Sequence, residues 1–184
     1  TGKPFMISKI SIKSFLWLIF NYNKFKISIV NNGYKTIAVY KFYLWSSDSK
    51  YFLIKGKDNT SYLLKLYSPK LLEREVFILN TLSEEITTLT PKVCGIGSYS
   101  NYGYIILDYF TFPSLNNIKN YNVDSDRLYE SLYQLLLILR KHQIIHRDFR
   151  PHNILYGDKI VLIDFSSSIM KSHPIHSKEL LDNE

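Results

Sequence analysis

Short stretches rich in β-branched and aromatic residues alternate with polar turns over the first hundred residues. Strands are predicted at 25–30, 34–42, 40–45, 51–55, 61–67, 93–98 and 104–107. The segment Asn31-Asn32-Gly33 is predicted to be a hairpin turn between the first two strands. This pattern predicts an antiparallel, β-rich N-terminal half.

Two later segments change to helical spacing. Residues 70–82 carry an apolar stripe, formed by Leu72, Val76 and Leu79. A second helix is predicted to begin with Asp124 or Ser125 as its cap and to end near His142. Its stripe consists of Leu128, Leu132, Leu135 and Leu139. Beyond it, residues 154–156 and 160–163 flank Gly157-Asp158, which predicts a tight hairpin.

Three oxygen-bearing side chains follow the second helix at informative spacings. Asp148 precedes Asn153 by five residues, and Asp164 ends the apolar run 160–163. Phosphoryl transfer from a nucleotide needs one group that orients the attacking hydroxyl and two that hold Mg²⁺. Each residue also has a structural interpretation, as a capping Asp, a turn-forming Asn and a polar end to a strand. The joint spacing favours phosphoryl transfer.

These motifs resemble the protein-kinase-like superfamily. His146-Arg147-Asp148 with Asn153 resembles the catalytic loop, and Asp164-Phe165-Ser166 resembles the Asp-Phe-Gly metal motif with Ser in place of Gly. Three earlier segments resemble further kinase elements. Residues 63–66 look like the strand that carries the ATP-binding lysine, and residues 72–79 look like the helix of its glutamate partner. Residues 104–110 look like the strand that leads into the hinge. The resemblance covers roughly residues 40–168.

The resemblance implies an α+β, two-lobed kinase-like fold. Residues 1–110 would form an antiparallel β-rich N-lobe with an N-terminal extension over about 1–35. Residues 111–184 would form a truncated, mainly helical C-lobe that carries the catalytic loop and the metal motif. Only 18 residues follow Ser166, and none of them forms the Ala-Pro-Glu landmark of an activation segment. We therefore expect either a minimal kinase or a piece of a longer one.

Lys65 and Glu75 are the predicted ATP-anchoring pair. Strand alternation places Lys65 on the same face as Leu63 and Tyr67, and a buried ammonium there needs an anionic partner. An ATP phosphate and a helix glutamate would serve. Glu75 lies beside the apolar stripe of the first helix, whereas Glu73 points away from it. The alternative is an edge strand with the lysine in solvent.

The remaining site residues follow from the resemblance. Asp108 and Phe110 fall where the hinge backbone meets the adenine in that superfamily. Arg150 is two residues after Asp148, where a cation would stabilise the transferring phosphoryl group; a solvated loop cation is the alternative. His146 is expected to be a framework residue. Arg147 usually pairs with a phosphorylated activation segment in protein kinases.

The segment 45–50 corresponds to the phosphate-binding loop but contains no glycine. Its lack of a strict glycine pattern resembles lipopolysaccharide core kinases and aminoglycoside phosphotransferases. We therefore expect an ATP- and Mg²⁺-dependent kinase that acts on a sugar of lipopolysaccharide or on another glycan or small molecule. A minimal protein Ser/Thr or Tyr kinase is the first alternative. A pseudokinase that only binds a partner is the second.

Composition adds bounds on partners and compartment. The chain has 184 residues, 46% of them hydrophobic, and a net charge of +7. This charge favours anionic partners, and a general compositional bias towards lysine is the alternative. The apolar run 15–20 is too short to span a bilayer, and we expect it to pack on the small lobe. Because Lys9 and Lys13 precede it, binding to an anionic membrane surface is the alternative. A nucleic acid partner is disfavoured because no RNA-binding motif is present. The single cysteine excludes an intrachain disulfide. We expect a cytoplasmic protein, and peripheral association with the inner membrane face is left open.

Overall fold

The computed structural model describes residues 12–83, 85, 88–118 and 123–173. These residues form two compact units. The first includes the described residues up to Pro69 together with Cys94–Tyr109, and the second includes Lys70–Val93 and the described residues from Phe110 onward. The antiparallel sheet and the helical part confirm the predicted α+β class. The lobe boundaries 1–110 and 111–184 stay a prediction.

The first unit is built on a five-stranded sheet. Its strands are β1 (Thr36–Val39), β2 (Ser49–Lys55), β3 (Ser61–Tyr67), β4 (Val93–Tyr99) and β5 (Tyr102–Asp108). They are arranged in the order β1-β2-β3-β5-β4, with antiparallel pairing of β1 with β2, β2 with β3 and β3 with β5. The predicted strands at 51–55, 61–67, 93–98 and 104–107 are therefore confirmed, and β3 is the central strand.

Residues 12–31 form helix α1 (Ile12–Asn31), so the predicted strand 25–30 and the hairpin turn after it are wrong. Trp17, Phe25 and Ile29 are buried on one side of this helix, at spacings of eight and four residues. Burial of this helical stripe on the sheet outweighs the local β-propensity of the segment, since strand preference depends strongly on packing context. The predicted packing of the run 15–20 on the small lobe is confirmed through Trp17.

An aromatic core fills the space between α1 and one face of the sheet. It contains Trp17, Phe25, Ile29, Ile37, Trp45, Phe52, Ile54, Leu64, Leu66, Tyr104 and Ile106. The predicted strand 40–45 is wrong, because 42–44 form a 3₁₀ turn and Lys41 has a left-handed backbone (φ 41°). The turn places Trp45 in this core, where its indole N–H lies 3.3 Å from the Tyr40 carbonyl and 3.2 Å from that of Tyr51. Burial of the indole with a satisfied N–H drives the chain out of the sheet here.

The second unit contains most of helix α2 (Pro69–Ser83), all of helix α3 (Ser125–Lys141) and four short strands. The strands are β6 (Ile144–Ile145), β7 (Ile154–Tyr156), β8 (Ile160–Leu162) and β9 (Ile169–Met170). The predicted cap of α3 is confirmed, since the Asp124 carboxylate accepts the backbone N–H of Arg127 at 3.0 Å. The predicted hairpin is confirmed as β7–β8.

Phe25 provides a test of the helix assignment. It is fully buried, and its ring contacts those of Trp17, Phe52, Tyr99 and Tyr104 at centroid distances of 5.8, 5.1, 5.0 and 6.3 Å. We expect Phe25→Ala to lower the free energy of unfolding by about 3–5 kcal/mol in a urea titration. Phe20→Ala is the matched control on the same helix, because Phe20 is 70% exposed and its loss should change stability by less than about 0.5 kcal/mol. Equal effects of the two changes would contradict this packing.

Candidate functional site

Two short strand pairs position the predicted catalytic loop. β6 pairs with β9, and β7 pairs with β8, both antiparallel. Residues 146–153 join β6 to β7, and residues 163–168 join β8 to β9. Because the flanking strands pair, the two connecting segments lie side by side. The Ile163 N–H donates to the Asn153 carbonyl at 2.9 Å and links the segments directly.

The carboxylate of Asp148 has a hydrogen-bond donor on each oxygen. Asn153 Nδ2 lies 2.7 Å from Oδ2 and also 3.0 Å from the Asp148 backbone carbonyl. Arg150 Nε lies 3.0 Å from Oδ1. The Asp148 side chain is nevertheless 31% exposed, so an incoming hydroxyl can reach it. The structure thus brings together Asp148, Arg150 and Asn153, three of the residues proposed from the sequence.

His146 links the loop to the metal-motif segment. It is buried; its Nδ1 lies 3.3 Å from the Asp148 backbone N–H, and its Nε2 lies 3.2 Å from the Ile163 carbonyl. A neutral imidazole protonated on Nε2 satisfies both contacts, because Nδ1 then accepts and Nε2–H donates. Its ring also packs edge-on against buried Phe165 at 4.7 Å. These contacts give His146 the position of a framework residue.

Asp164 has a left-handed backbone with φ 66°, as does Arg147 with φ 63°. Positive φ is uncommon outside glycine, and at Arg147 it costs more than at Asp, whose short polar side chain tolerates it better. The Ser166 hydroxyl donates to Asp164 Oδ1 at 2.9 Å. Ser166, noticed in the sequence only as a replacement for glycine, therefore helps to orient the carboxylate. An Asp-x-Ser spacing, typical of local side-chain turns, is the signal that identifies it.

The side-chain oxygens of Asn153 and Asp164 suit Mg²⁺ bound together with phosphate. Both hydrogen bonds of the Asn153 side chain come from Nδ2, so its Oδ1 points away from Asp148 and can serve as a metal ligand. With the Asp164 carboxylate this makes two hard oxygen donors, the number that Mg²⁺ usually takes from protein when phosphate and water complete its shell. Within the described ranges, no cluster of three His, Cys, Asp or Glu side chains forms an all-protein metal site.

Lys65 is buried in the middle of the sheet of the first unit. It lies opposite Tyr51 on β2 and Ile105 on β5, and its Nζ is 5.9 and 5.4 Å from the ring centroids of Tyr51 and Tyr67. The solvated edge-strand alternative is therefore excluded. Its side chain is on the sheet face opposite the aromatic core, because neighbouring Leu64 and Leu66 point into that core.

Glu75 is buried in α2, whereas Glu73 is exposed, as the apolar stripe predicted. The two members of the predicted ATP-anchoring pair belong to different compact units. The pairing of Lys65 with Glu75 stays a prediction.

The last of the three points at which the chain passes from one unit to the other falls between Tyr109 and Phe110, within the predicted hinge. In the first unit, Asp108 Oδ1 accepts a hydrogen bond from the Cys94 thiol at 3.3 Å. In the second unit, Phe110 stacks on Phe112 with centroids 5.8 Å apart, and Lys159 Nζ lies 4.9 Å from its ring centroid. Both side chains thus have partners in their own unit. The proposed adenine contact by the backbone at Asp108 and Phe110 stays a prediction.

The segment after the hinge is tied to the β7–β8 hairpin. The Tyr156 N–H donates to the Pro113 carbonyl at 2.9 Å, and Ser114 forms a bridge with Leu155. Gly157 lies against the Phe112 ring, where a Cβ would approach to 2.4 Å. Residues 119–122 lie outside the described residues.

The candidate phosphate loop 45–50 is fixed by serines and by α1. Ser46 Oγ accepts the N–H groups of Asp48 and Ser49 at 3.2 and 3.0 Å, and the Ser14 hydroxyl donates to the Ser46 carbonyl. Lys50 Nζ donates to the Ser47 carbonyl at 3.2 Å. Side-chain hydrogen bonds thus hold a loop that glycines shape in protein kinases.

Lys50 is the least expected side chain of this loop. It is 1% exposed, and its Nζ lies 5.4 Å from the Trp17 ring centroid and 4.5 Å from that of Tyr102. Burial lowers the pKa of Lys50, and the nearby charge of Asp48 opposes this shift. The alternation of β2 was the sequence signal for its inward position. The cage that the Trp17 and Tyr102 rings form around Nζ could not be predicted without the position of α1.

Comparisons with known proteins place these motifs in one family and beside several protein kinases. The model of the RIO domain family matches residues 32–184. Serine/threonine-protein kinase D of Synechocystis sp. is 33% identical over 102 residues, 53% of this chain and 20% of the relative. A probable serine/threonine-protein kinase of Dictyostelium discoideum is 30% identical over an alignment of 220 positions, 96% of this chain and 15% of the relative. The dual specificity protein kinase zak2 of the same organism is 39% identical over 82 residues, 44% of this chain and 13% of the relative. The chain thus spans a fifth or less of the length of these relatives.

Lys50 generates a prediction about pH. Because its folded pKa is lowered, the folded protein binds this proton more weakly than the unfolded chain, so this lysine destabilises the fold at neutral pH. That cost disappears as pH rises through the folded pKa towards 10.5. We expect the difference in unfolding free energy between Lys50→Met and wild type to favour the variant most at pH 7 and to move against it towards pH 10. Denaturant titrations at several pH values measure it.

Lys24→Met is the matched control for this experiment. Lys24 is an exposed lysine of α1, and its removal should change the unfolding free energy by less than about 0.5 kcal/mol at pH 7. A difference between Lys50→Met and wild type that stays constant between pH 7 and 10 would contradict the buried position of Lys50.

Proposed function

The chain belongs to the RIO domain family, a protein-kinase-like family, and from this premise we propose that it transfers the γ-phosphate of ATP, with Mg²⁺, to a hydroxyl group. The observation that carries the proposal is the Asp148 carboxylate, held on one oxygen by Asn153 and on the other by Arg150. Carboxylates fixed in this manner orient an attacking hydroxyl without reorganisation during the reaction. A loop Asp that only caps backbone amides would not require these two partners.

In the proposed reaction, the acceptor oxygen attacks the γ-phosphorus while the bond to the bridging oxygen of ADP breaks. Asp148 orients the hydroxyl and accepts its proton late in the step. Asn153 keeps the carboxylate aimed, and with Asp164 it offers oxygen ligands to the metal. Mg²⁺, when bound, neutralises charge on the phosphates. Arg150 is 59% exposed and has guanidinium nitrogens besides Nε for the transferring phosphoryl oxygens.

A protein hydroxyl is the acceptor we propose to test first. The support comes from the names of the relatives, three of which are described as serine/threonine or dual specificity protein kinases. A glycan hydroxyl is the second candidate. Its support is the candidate phosphate loop, which lacks glycine and is closed by serine hydrogen bonds.

Substitutions of Asp148 and Asp164 test the catalytic proposal. We expect Asp148→Asn and Asp164→Asn each to lower the rate of ADP formation by at least about 100-fold, because one removes the proton acceptor and the other a metal ligand. Addition of EDTA should stop ADP formation by the wild type, and excess Mg²⁺ should restore it. A coupled assay of ADP measures all of these rates.

Asp158→Asn is the matched control, since Asp158 is an exposed acid in the turn between β7 and β8. It should leave the rate unchanged. Full activity in Asp148→Asn would refute the assigned role. Nucleotide binding by the wild type without ADP formation would instead favour a pseudokinase.

The acceptor is identified by following radiolabel from ATP into separate protein and glycan pools. We expect label in protein, on serine or threonine, with no label when Asp164→Asn replaces the wild type. Label confined to glycan would reverse the order of the two acceptors. The Asp164→Asn reaction shows that the label depends on this site and not on a contaminating kinase.

A further inference from the structure

One side of α1 presents an exposed apolar surface, which we call the α1 stripe. It consists of Ile12, Phe15, Leu16, Ile19, Phe20, Ile27 and Val30. At 100° per residue these side chains fall within an arc of about 140°, opposite the buried face. The stripe holds seven of the sixteen exposed large hydrophobic residues found in the described part of the chain. Such a concentration of apolar surface marks an interaction site.

The charge around the stripe indicates the chemistry of its partner. Lys13 and Lys24 border one edge of the stripe, and Lys26 lies just inside the other edge; all three are exposed. The first 31 residues contain five lysines and no acidic residue, so this short part of the chain carries most of the net charge of +7. We propose that the α1 stripe docks on the surface of an anionic membrane.

The geometry fits a helix that lies in the interface plane. No described helix is long and apolar enough to cross a membrane, so α1 would lie on the surface. Phenylalanine and isoleucine side chains would enter the boundary between headgroups and acyl chains, while the lysines extend to the anionic headgroups. The opposite face of α1 already packs on the sheet, which presents the stripe outward.

Self-association through the same stripe is less favourable. Two copies would bring their lysines together, and like charges at short range repel. An anionic bilayer supplies both an apolar phase and the opposite charge. Because α1 also contacts the candidate phosphate loop through Ser14 and through Trp17, whose ring faces Lys50, docking would place that loop close to the membrane-bound helix.

Vesicle flotation of the purified chain tests the proposal without ATP, so its outcome is independent of the proposed kinase activity. We expect the chain to float with vesicles of phosphatidylcholine containing about a quarter of phosphatidylserine, and not with phosphatidylcholine alone. Salt should weaken binding by screening. Lys13→Gln with Lys24→Gln should reduce the partition coefficient roughly 25-fold, about fivefold per lysine.

Phe15→Ser with Phe20→Ser removes two exposed rings of the stripe and should lower the partition coefficient by more than about tenfold. Ile96→Ser is the matched control, because Ile96 is an exposed apolar residue on β4, and it should float like the wild type. Unchanged thermal unfolding of each variant shows that the fold is intact.

Three outcomes would overturn the proposal. The first is no flotation of the wild type with anionic vesicles, and the second is equal flotation of the wild type and the double phenylalanine variant. The third is a concentration-dependent dimer, seen by sedimentation, that Phe15→Ser with Phe20→Ser disperses. That last result would assign the α1 stripe to a second copy of the chain.

Discussion

The candidate catalytic centre depends on the nested pairing of four very short strands, β7 with β8 inside β6 with β9. Neither pair has more than three residues per strand, yet together β6–β9 and β7–β8 bring segments 146–153 and 163–168 side by side. Left-handed residues on each segment, Arg147 and Asp164, persist only when the surrounding structure holds them. The holding contacts are the His146 ring, which joins both segments, and the backbone bond from Ile163 to Asn153. Asn153 Nδ2 then fixes Asp148, because it donates to both the backbone carbonyl and the carboxylate of that residue.

Helix α1 imposes a comparable constraint on the first unit. One face supplies Trp17, Phe25 and Ile29 to the aromatic core, and its N-terminal part holds the candidate phosphate loop. A glycine-rich loop lets backbone amides approach phosphates because its backbone is permissive. Here the loop conformation is instead determined by the hydroxyl of Ser46 and the ammonium of Lys50. Because Ser14 and Trp17 of α1 contact Ser46 and Lys50, the order of the loop also depends on the presence of the helix.

Sequence patterns predicted the elements whose signals are local. Helix α3 has a capping Asp124 and a leucine stripe, and the hairpin β7–β8 has Gly157 at its turn, so both were predicted close to their observed limits. Helix α1 was missed at 25–30 because it has apolar residues on both faces, which removes the helical periodicity and leaves only β-propensity. The 3₁₀ turn at 42–44 was missed because the burial of Trp45 that causes it is tertiary.

The same distinction applies to the site. Spacing alone was sufficient to propose Asp148, Asn153 and Asp164, since each motif is contiguous. The cage of Lys50 was not predictable, because Trp17 and Tyr102 approach it from distant parts of the chain. Ser166 was noticed only as a replacement for glycine, and its bond to Asp164 was not predicted, although the Asp-x-Ser spacing is typical of such local bonds.

Arg150 combines a small contribution to the stability of the fold with a proposed role in the chemistry. Its pair with Asp148 involves a guanidinium side chain that is 59% exposed, and ion pairs of this kind stabilise a fold by only about 0–1 kcal/mol. The pair therefore has little effect on folding. When acceptor and nucleotide displace water, the effective dielectric falls and the same charges interact more strongly. In the proposed reaction, Arg150 would then fix one carboxylate oxygen and bring positive charge next to the transferring group. The observed ion pair with Asp148 is thus compatible with the role expected from the sequence, a cation that stabilises the transferring phosphoryl group.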